Sequence, residues 1–182
     1  MSKEEVDPRG FGTFVRKIIN LCEIRLETDH CWDVHLADQS HHLLLSPLGL
    51  SPGVLYTALK RIQPDRAIVI GFEESLQTIP EICEKAEFNS NRVTPIQVRN
   101  VFTCFDQAQT ISEKVQQELI QASDLILNLT GGTTAMQYLV EKIGRDAWNL
   151  GVRVARIALS DPRPIEEQRE APYQLGDLRH LH

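Results

Sequence analysis

No run of apolar residues in this chain approaches the ~18 needed to cross a bilayer. The start, MSKEEVDPRG, carries no secretory apolar segment, so a cytoplasmic location is the expectation. Cysteine is sparse. Cys22, Cys31, Cys83 and Cys104 form no CxxC pair and no evenly spaced framework, which reads as reduced, mostly buried thiols rather than a disulfide scaffold. Basic charge is also short: the formal net charge is −6, against the positive surface that binding long duplex nucleic acid requires. The chain lacks GxxxxGK[ST] and GxGxxG, which excludes the usual P-loop and dinucleotide fingerprints. It has no internal repeat at solenoid periods and no low-complexity tract.

What is present is the rhythm of an α/β domain. At 182 residues the chain suits one domain with a short appendage, and 42% hydrophobic with 24% charged residues is ordinary for a globular protein. Residues 1 to 40 form the appendage. Phe11, Phe14, Val15, Ile18, Ile19 and Cys22 fall at helical spacing, so an amphipathic N-terminal helical extension is expected there. His30, Cys31, His35, His41 and His42 lack any standard zinc spacing, and no metal site is expected from them.

From residue 41 to 182, short apolar strands alternate with helices. The expected strands are His42–Leu45, Ala67–Ile70, Ile96–Phe102, Leu125–Leu129 and Val152–Leu159. The expected helices are Pro52–Ile62, Ser75–Ala86 with an irregularity at Pro80, Ile111–Ala122, and Thr133–Leu150 closed by Gly151. Ile165 to His182 is expected as a hairpin or loop packing back on the sheet, or as a loose tail. Alternation of this kind indicates a Rossmann-like, open, mostly parallel sheet with helices on both faces.

Two strand-to-helix turns stand out. The first is Ser46-Pro47-Leu48-Gly49-Leu50-Ser51-Pro52-Gly53, and the second is Asn128-Leu129-Thr130-Gly131-Gly132-Thr133-Thr134. Glycines there let backbone approach a ligand closely, a following helix offers unpaired N–H groups to an anion, and the hydroxyls add donors. If their strands are parallel neighbours, both turns face the carboxyl edge of the sheet, where such folds bind ligands.

With both motifs in view, residues 42 to 165 resemble the CARF family, the CRISPR-associated Rossmann-fold sensors. In that family an S-x-x-G-x-S-P loop follows the first strand, and T-G-G-T follows the fourth. The resemblance implies a homodimer that binds a cyclic oligoadenylate, with cyclic tetra-adenylate the expected ring. It places Ser46, Gly49, Leu50, Ser51, Gly71, Thr130, Gly131, Gly132, Thr133 and Thr134 against the ligand. No cofactor, no metal and no membrane partner are expected.

Many members carry Lys or Arg directly after GGT, where this chain has Thr134. If the chain is a ring nuclease, cleaving by metal-independent 2′-hydroxyl attack, then Ser46, Thr133 and Thr134 are the expected positioning groups and Arg163 the expected charge. Lys142 lies too far along its helix to serve. On chain length the nuclease is expected ahead of a non-catalytic sensor, and an unrelated nucleotide enzyme using Asp106, Asp161 or a histidine ranks third. Gly132→Val is expected to abolish binding with the fold intact, and Thr133→Ala to cut turnover more than affinity.

Overall fold

The computed structural model describes residues 41–181, and the expected N-terminal helix with its cysteines and histidines lies outside them. The described chain runs β1 (His42–Leu48), α1 (Pro52–Ile62), β2 (Arg66–Gly71), α2 (Glu73–Leu76), α3 (Ile79–Ala86), β3 (Val93–Gln97), α4 (Ala108–Gln121), β4 (Asp124–Asn128), α5 (Thr134–Asn149), β5 (Arg153–Ser160), α6 (Ile165–Glu170) and β6 (Asp177–Leu181). They build one six-stranded sheet in the order β3-β2-β1-β4-β5-β6. The first five strands are parallel, and β6 pairs antiparallel with β5 at the edge.

Alternation of side chains splits the sheet between two cores. Leu43, Leu45, Ile68, Ile70, Leu125 and Leu127 point to the face covered by Val115 and Leu119 of α4 and by Leu139, Val140 and Ile143 of α5. Leu44, Leu48, Ala67, Val69, Ile157 and Leu159 point to the other face, under Leu55 and Leu59 of α1 and Ile82 of α3. Both faces are buried, so the strands read as unbroken apolar runs rather than as alternating ones.

The boundaries differ from the sequence expectation where local chemistry intervenes. β1 continues past Leu45 to Leu48, because Ser46, Pro47 and Leu48 still pair with β2 after the pairing with β4 has ended. The expected helix from Ser75 to Ala86 is two helices, with Gln77 and Thr78 between them. Pro80 sits in the first turn of the second helix, where its missing N–H is harmless. β3 spans Val93–Gln97 rather than Ile96–Phe102. It holds Pro95, which an edge strand tolerates. Beyond it Asn100 turns the chain, its side chain accepting from Phe102 N at 2.9 Å. Gly151, at φ +85°, follows α5 as expected.

The C-terminal segment forms α6 and then β6, so it packs on the sheet edge as a strand. It is tied to α1: Gly176 N donates to Thr57 Oγ1 at 3.1 Å, and the Tyr56 and Tyr173 rings stand edge to face, 5.7 Å apart. Cys83 and Cys104 are free and buried. Among the described residues no helix is long and apolar enough to cross a membrane, and no cluster of ligating side chains has metal-site geometry.

Gly144 marks the tightest helix-to-sheet contact. A Cβ there would lie 2.3 Å from Leu127 Cδ1 in the packed core. Gly144→Val is expected to lower stability by about 1–3 kcal/mol through overpacking, read as a lower urea midpoint with an unchanged slope.

Candidate functional site

The strand order reverses between β1 and β4, and the two turns meet at that switch point. β1 connects outward through α1 to β2 on one side, while β4 leads through α5 to β5 on the other. Their carboxyl ends therefore open a crevice between diverging connections. Contact between the turns is close: a Cβ on Gly49 would lie 3.1 Å from Gly132 N. Gly131 and Gly132 both have positive φ, +87° and +66°, the left-handed region in which glycine is unstrained.

The crevice holds a cleft of about 600 Å³, lined by Pro47, Gly49, Leu50, Ser51, Val54, Phe72, Val101, Phe102, Gly131, Gly132, Thr133 and Met136. No charged side chain lines it. Its floor is apolar, and two large apolar side chains at its rim stand in solvent: Leu50 is 88% exposed and Phe102 73%. Ser51 precedes α1 in extended conformation, and its hydroxyl makes no capping bond. The first backbone N–H groups of α5, and those of α1 after Pro52, which has none, lack intrahelical partners and give the rim local positive potential.

Of the residues named from sequence, Gly49, Leu50, Ser51, Gly131, Gly132 and Thr133 line this cleft. The others do not. Ser46 is fully buried; it accepts from Asn128 Nδ2 at 2.9 Å and donates to Pro47 O at 3.2 Å. Its hydroxyl is thus committed within the protein. Thr130 Oγ1 accepts from Leu159 N at 2.7 Å and fixes the turn to β5. Gly71 ends β2 against Leu48 O and Ser75, where a Cβ would meet Ser75 Oγ at 2.6 Å. Thr134 opens α5 with an exposed side chain outside the cleft lining.

Arg163 is engaged elsewhere. Its guanidinium grips Asp161 through two bonds, Nε to Oδ1 at 3.0 Å and Nη2 to Oδ2 at 2.6 Å. Nη1 donates to Ala171 O at 3.0 Å. The Arg163 hydrogen bonds hold the Asp161 carboxyl below the usual carboxylate range. This arginine fastens the segment after β5 and lies outside the cleft lining. Lys142 is likewise occupied: Nζ reaches Asp146 Oδ1 at 2.7 Å, and Ser112 Oγ donates to the same carboxylate at 2.5 Å. Burial pushes the Asp146 carboxyl up, but the bonds from Lys142 and Ser112 outweigh it and leave it lowered. A recess of about 370 Å³ beside this trio, between α4 and α5, holds that bonded seam rather than a free reactive group.

Sequence reasoning missed the third wall of the cleft, Val101 and Phe102. Both fall inside the strand expected over residues 96–102, and the only local signal for a turn is Asn100. It also missed Asn128 as the buried partner of Ser46, and the apolar floor of Val54 and Met136.

Thr133 is the cap of α5: its Oγ1 accepts from Met136 N at 3.4 Å and also donates to Val101 O. Thr133→Ala is therefore expected to lower stability by about 0.5–2 kcal/mol through loss of the cap, while Thr133→Ser retains it, as thermal or urea unfolding would record. Gly132→Val no longer isolates binding. A Cβ there would lie 3.0 Å from Pro47 Cβ on a positive-φ backbone, so the fold itself is strained.

No family model matches the chain, and no curated protein matches it. Among solved structures it is similar to Can2 from Sulfobacillus thermosulfidooxidans, determined in complex with cyclic tetra-adenylate. The identity is 18%, the TM-score 0.52, and the match covers 66% of this chain. A type III CRISPR defence DNA nuclease activated by cyclic oligoadenylate matches at 20% identity and TM-score 0.48 over 63% of this chain. The match spans 32% of Can2 and 18% of the nuclease. By fold, the chain is a Rossmann-like α/β domain that shares its sheet-and-helix core with a part of Can2.

Proposed function

We propose that residues 41–181 form a CARF-type domain that binds a cyclic oligoadenylate, with cyclic tetra-adenylate the favoured ring, and that the chain reports its presence in type III CRISPR defence. The observation that carries this reading is the packing of the SPLGLSPG turn against the TGGT turn around one cleft at the switch point. The two motifs that carry the CARF resemblance are far apart in sequence, yet they build a single rim. The fold shared with Can2, a protein captured with cyclic tetra-adenylate, supports the same ligand.

Backbone amides and the two helix starts suit phosphates, and the apolar cleft suits bases. A ring with several phosphates needs more donors than one rim offers, so two copies facing each other form the complete site. Sedimentation at micromolar concentration is expected to give a dimer; a monomer with and without ligand would overturn this arrangement.

Binding has better support than cleavage. Metal-independent attack by a 2′-hydroxyl needs donors aimed at the developing charge. Ser46 is buried, the Thr133 hydroxyl is engaged on both sides, and Arg163 is held by Asp161. Calorimetry in EDTA with cyclic tri-, tetra- and hexa-adenylate tests the reading. Saturable binding of the tetra-adenylate at one ring per two chains is expected, with intact ring recovered after long incubation. Linear products would reinstate the ring nuclease, and no binding of any ring would overturn the CARF assignment.

A further inference from the structure

We propose that Phe102 is the stacking platform for a nucleobase of the ligand, which places a base inside the cleft and the phosphates outside it on the turns. The inference rests on the binding reading above and deepens it, because nothing in the two turn motifs points to the loop after β3.

Three observations converge on this residue. The first is the chemistry of the cleft. Its floor is Pro47, Val54 and Met136, its rim is Leu50 and Phe102, and no charged side chain faces in. A phosphate pushed into such a space would lose its hydration with no cation in return. A base presents an apolar π-face to such walls at no comparable loss.

The second observation is how the ring is held. Phe102 N donates to Asn100 Oδ1 at 2.9 Å, and Thr103 N donates to Asn100 O at 3.3 Å. On one side Val101 gives its carbonyl to Thr133 Oγ1. On the other, Cys104 is buried in the core. The backbone around Phe102 is thus anchored to the start of α5 and to the core, while the ring itself stays 73% exposed. A preorganised aromatic loses little freedom when a partner stacks on it.

The third observation is that the ring is unused. The ring pairs among the described residues are Tyr56 with Tyr173 and Phe105 with Tyr138, and Phe102 belongs to neither. Leu50 at the rim of the same cleft supplies a second apolar surface, so a planar group entering there has walls on more than one side.

The full-length chain tests this with cyclic tetra-adenylate as probe. Exposure of the ring means that Phe102→Ala should fold with an unchanged melting temperature. It is expected to weaken binding by about tenfold to a hundredfold, the range for loss of one base–aromatic stack. Phe102→Trp and Phe102→Tyr should bind within about threefold of the unsubstituted chain, and Phe102→Leu should fall between them and Phe102→Ala. The loss should be the same at low and high salt, because stacking releases no counterions. Unchanged affinity in Phe102→Ala overturns the proposal while leaving the binding reading intact, and so does equal affinity of Phe102→Leu and Phe102→Trp. A loss that vanishes at high salt also overturns it, by assigning the effect to the phosphates. Altered sedimentation with unaltered affinity overturns it in favour of a protein contact. Failure of the unsubstituted chain to bind overturns the binding reading and this inference together.

Discussion

The Asn128 carboxamide occupies the point where β1, β4 and the TGGT turn converge, fully buried and bonded on both of its ends. Its Nδ2 donates to Ser46 Oγ on β1 at 2.9 Å, and its Oδ1 accepts from Thr130 N at 2.9 Å. A backbone N–H can only donate, so the second bond fixes which end of the amide faces which strand. Leaving such a buried group unsatisfied costs about 1–3 kcal/mol, which ties both turns to one geometry. The glycines can then take positive φ, because Thr130, clamped to β5 through its hydroxyl, and Thr133, capping α5, hold the chain on either side of them.

That constraint explains how an acidic protein can present a surface suited to an anion. The formal net charge of the chain is −6, and the lining of the cleft has no ionisable side chain. Arg163, past the end of β5, is committed to Asp161, and Lys142, too far along α5 to serve the site, is committed to Asp146. Positive potential at the rim is therefore that of oriented amides, whose strength depends on backbone geometry and not on titration. Such a rim favours recognition by shape and dipole.

A serine or threonine stabilises a developing charge only if its donor is aimed at the reacting atoms. Ser46 donates to Pro47 O and Thr133 to Val101 O, so both protons point into protein. Ser51, whose hydroxyl caps nothing, is a cleft residue with an uncommitted side chain. The apolar remainder of the wall, from Val54 through Met136 to Phe102, has the character of a binding surface.

Sequence alone determined the class of fold and the two turns, which carry Gly49, Leu50, Ser51, Gly131, Gly132 and Thr133, half of the residues lining the cleft. Leu43, Leu44 and Leu45 in a row suit a strand buried on both faces, and Pro52 after Ser51 suits the first turn of a helix. Gly131 and Gly132 before Thr133 likewise signal a left-handed turn and a cap, because those are local properties of the residue types. Tertiary structure decided which hydroxyls and charges remain available. Whether Ser46 faces the cleft or the core depends on Asn128, 82 positions away, whereas Arg163 is occupied locally, by the Asp161 carboxylate two residues before it and by the Ala171 carbonyl eight residues after it. It also decided that Phe102 stands at the rim. A stretch with Ile96, Val98, Val101 and Phe102 reads as a strand by propensity, and the Asn100 turn and the tether from Thr133 to Val101 convert its end into a wall of the cleft.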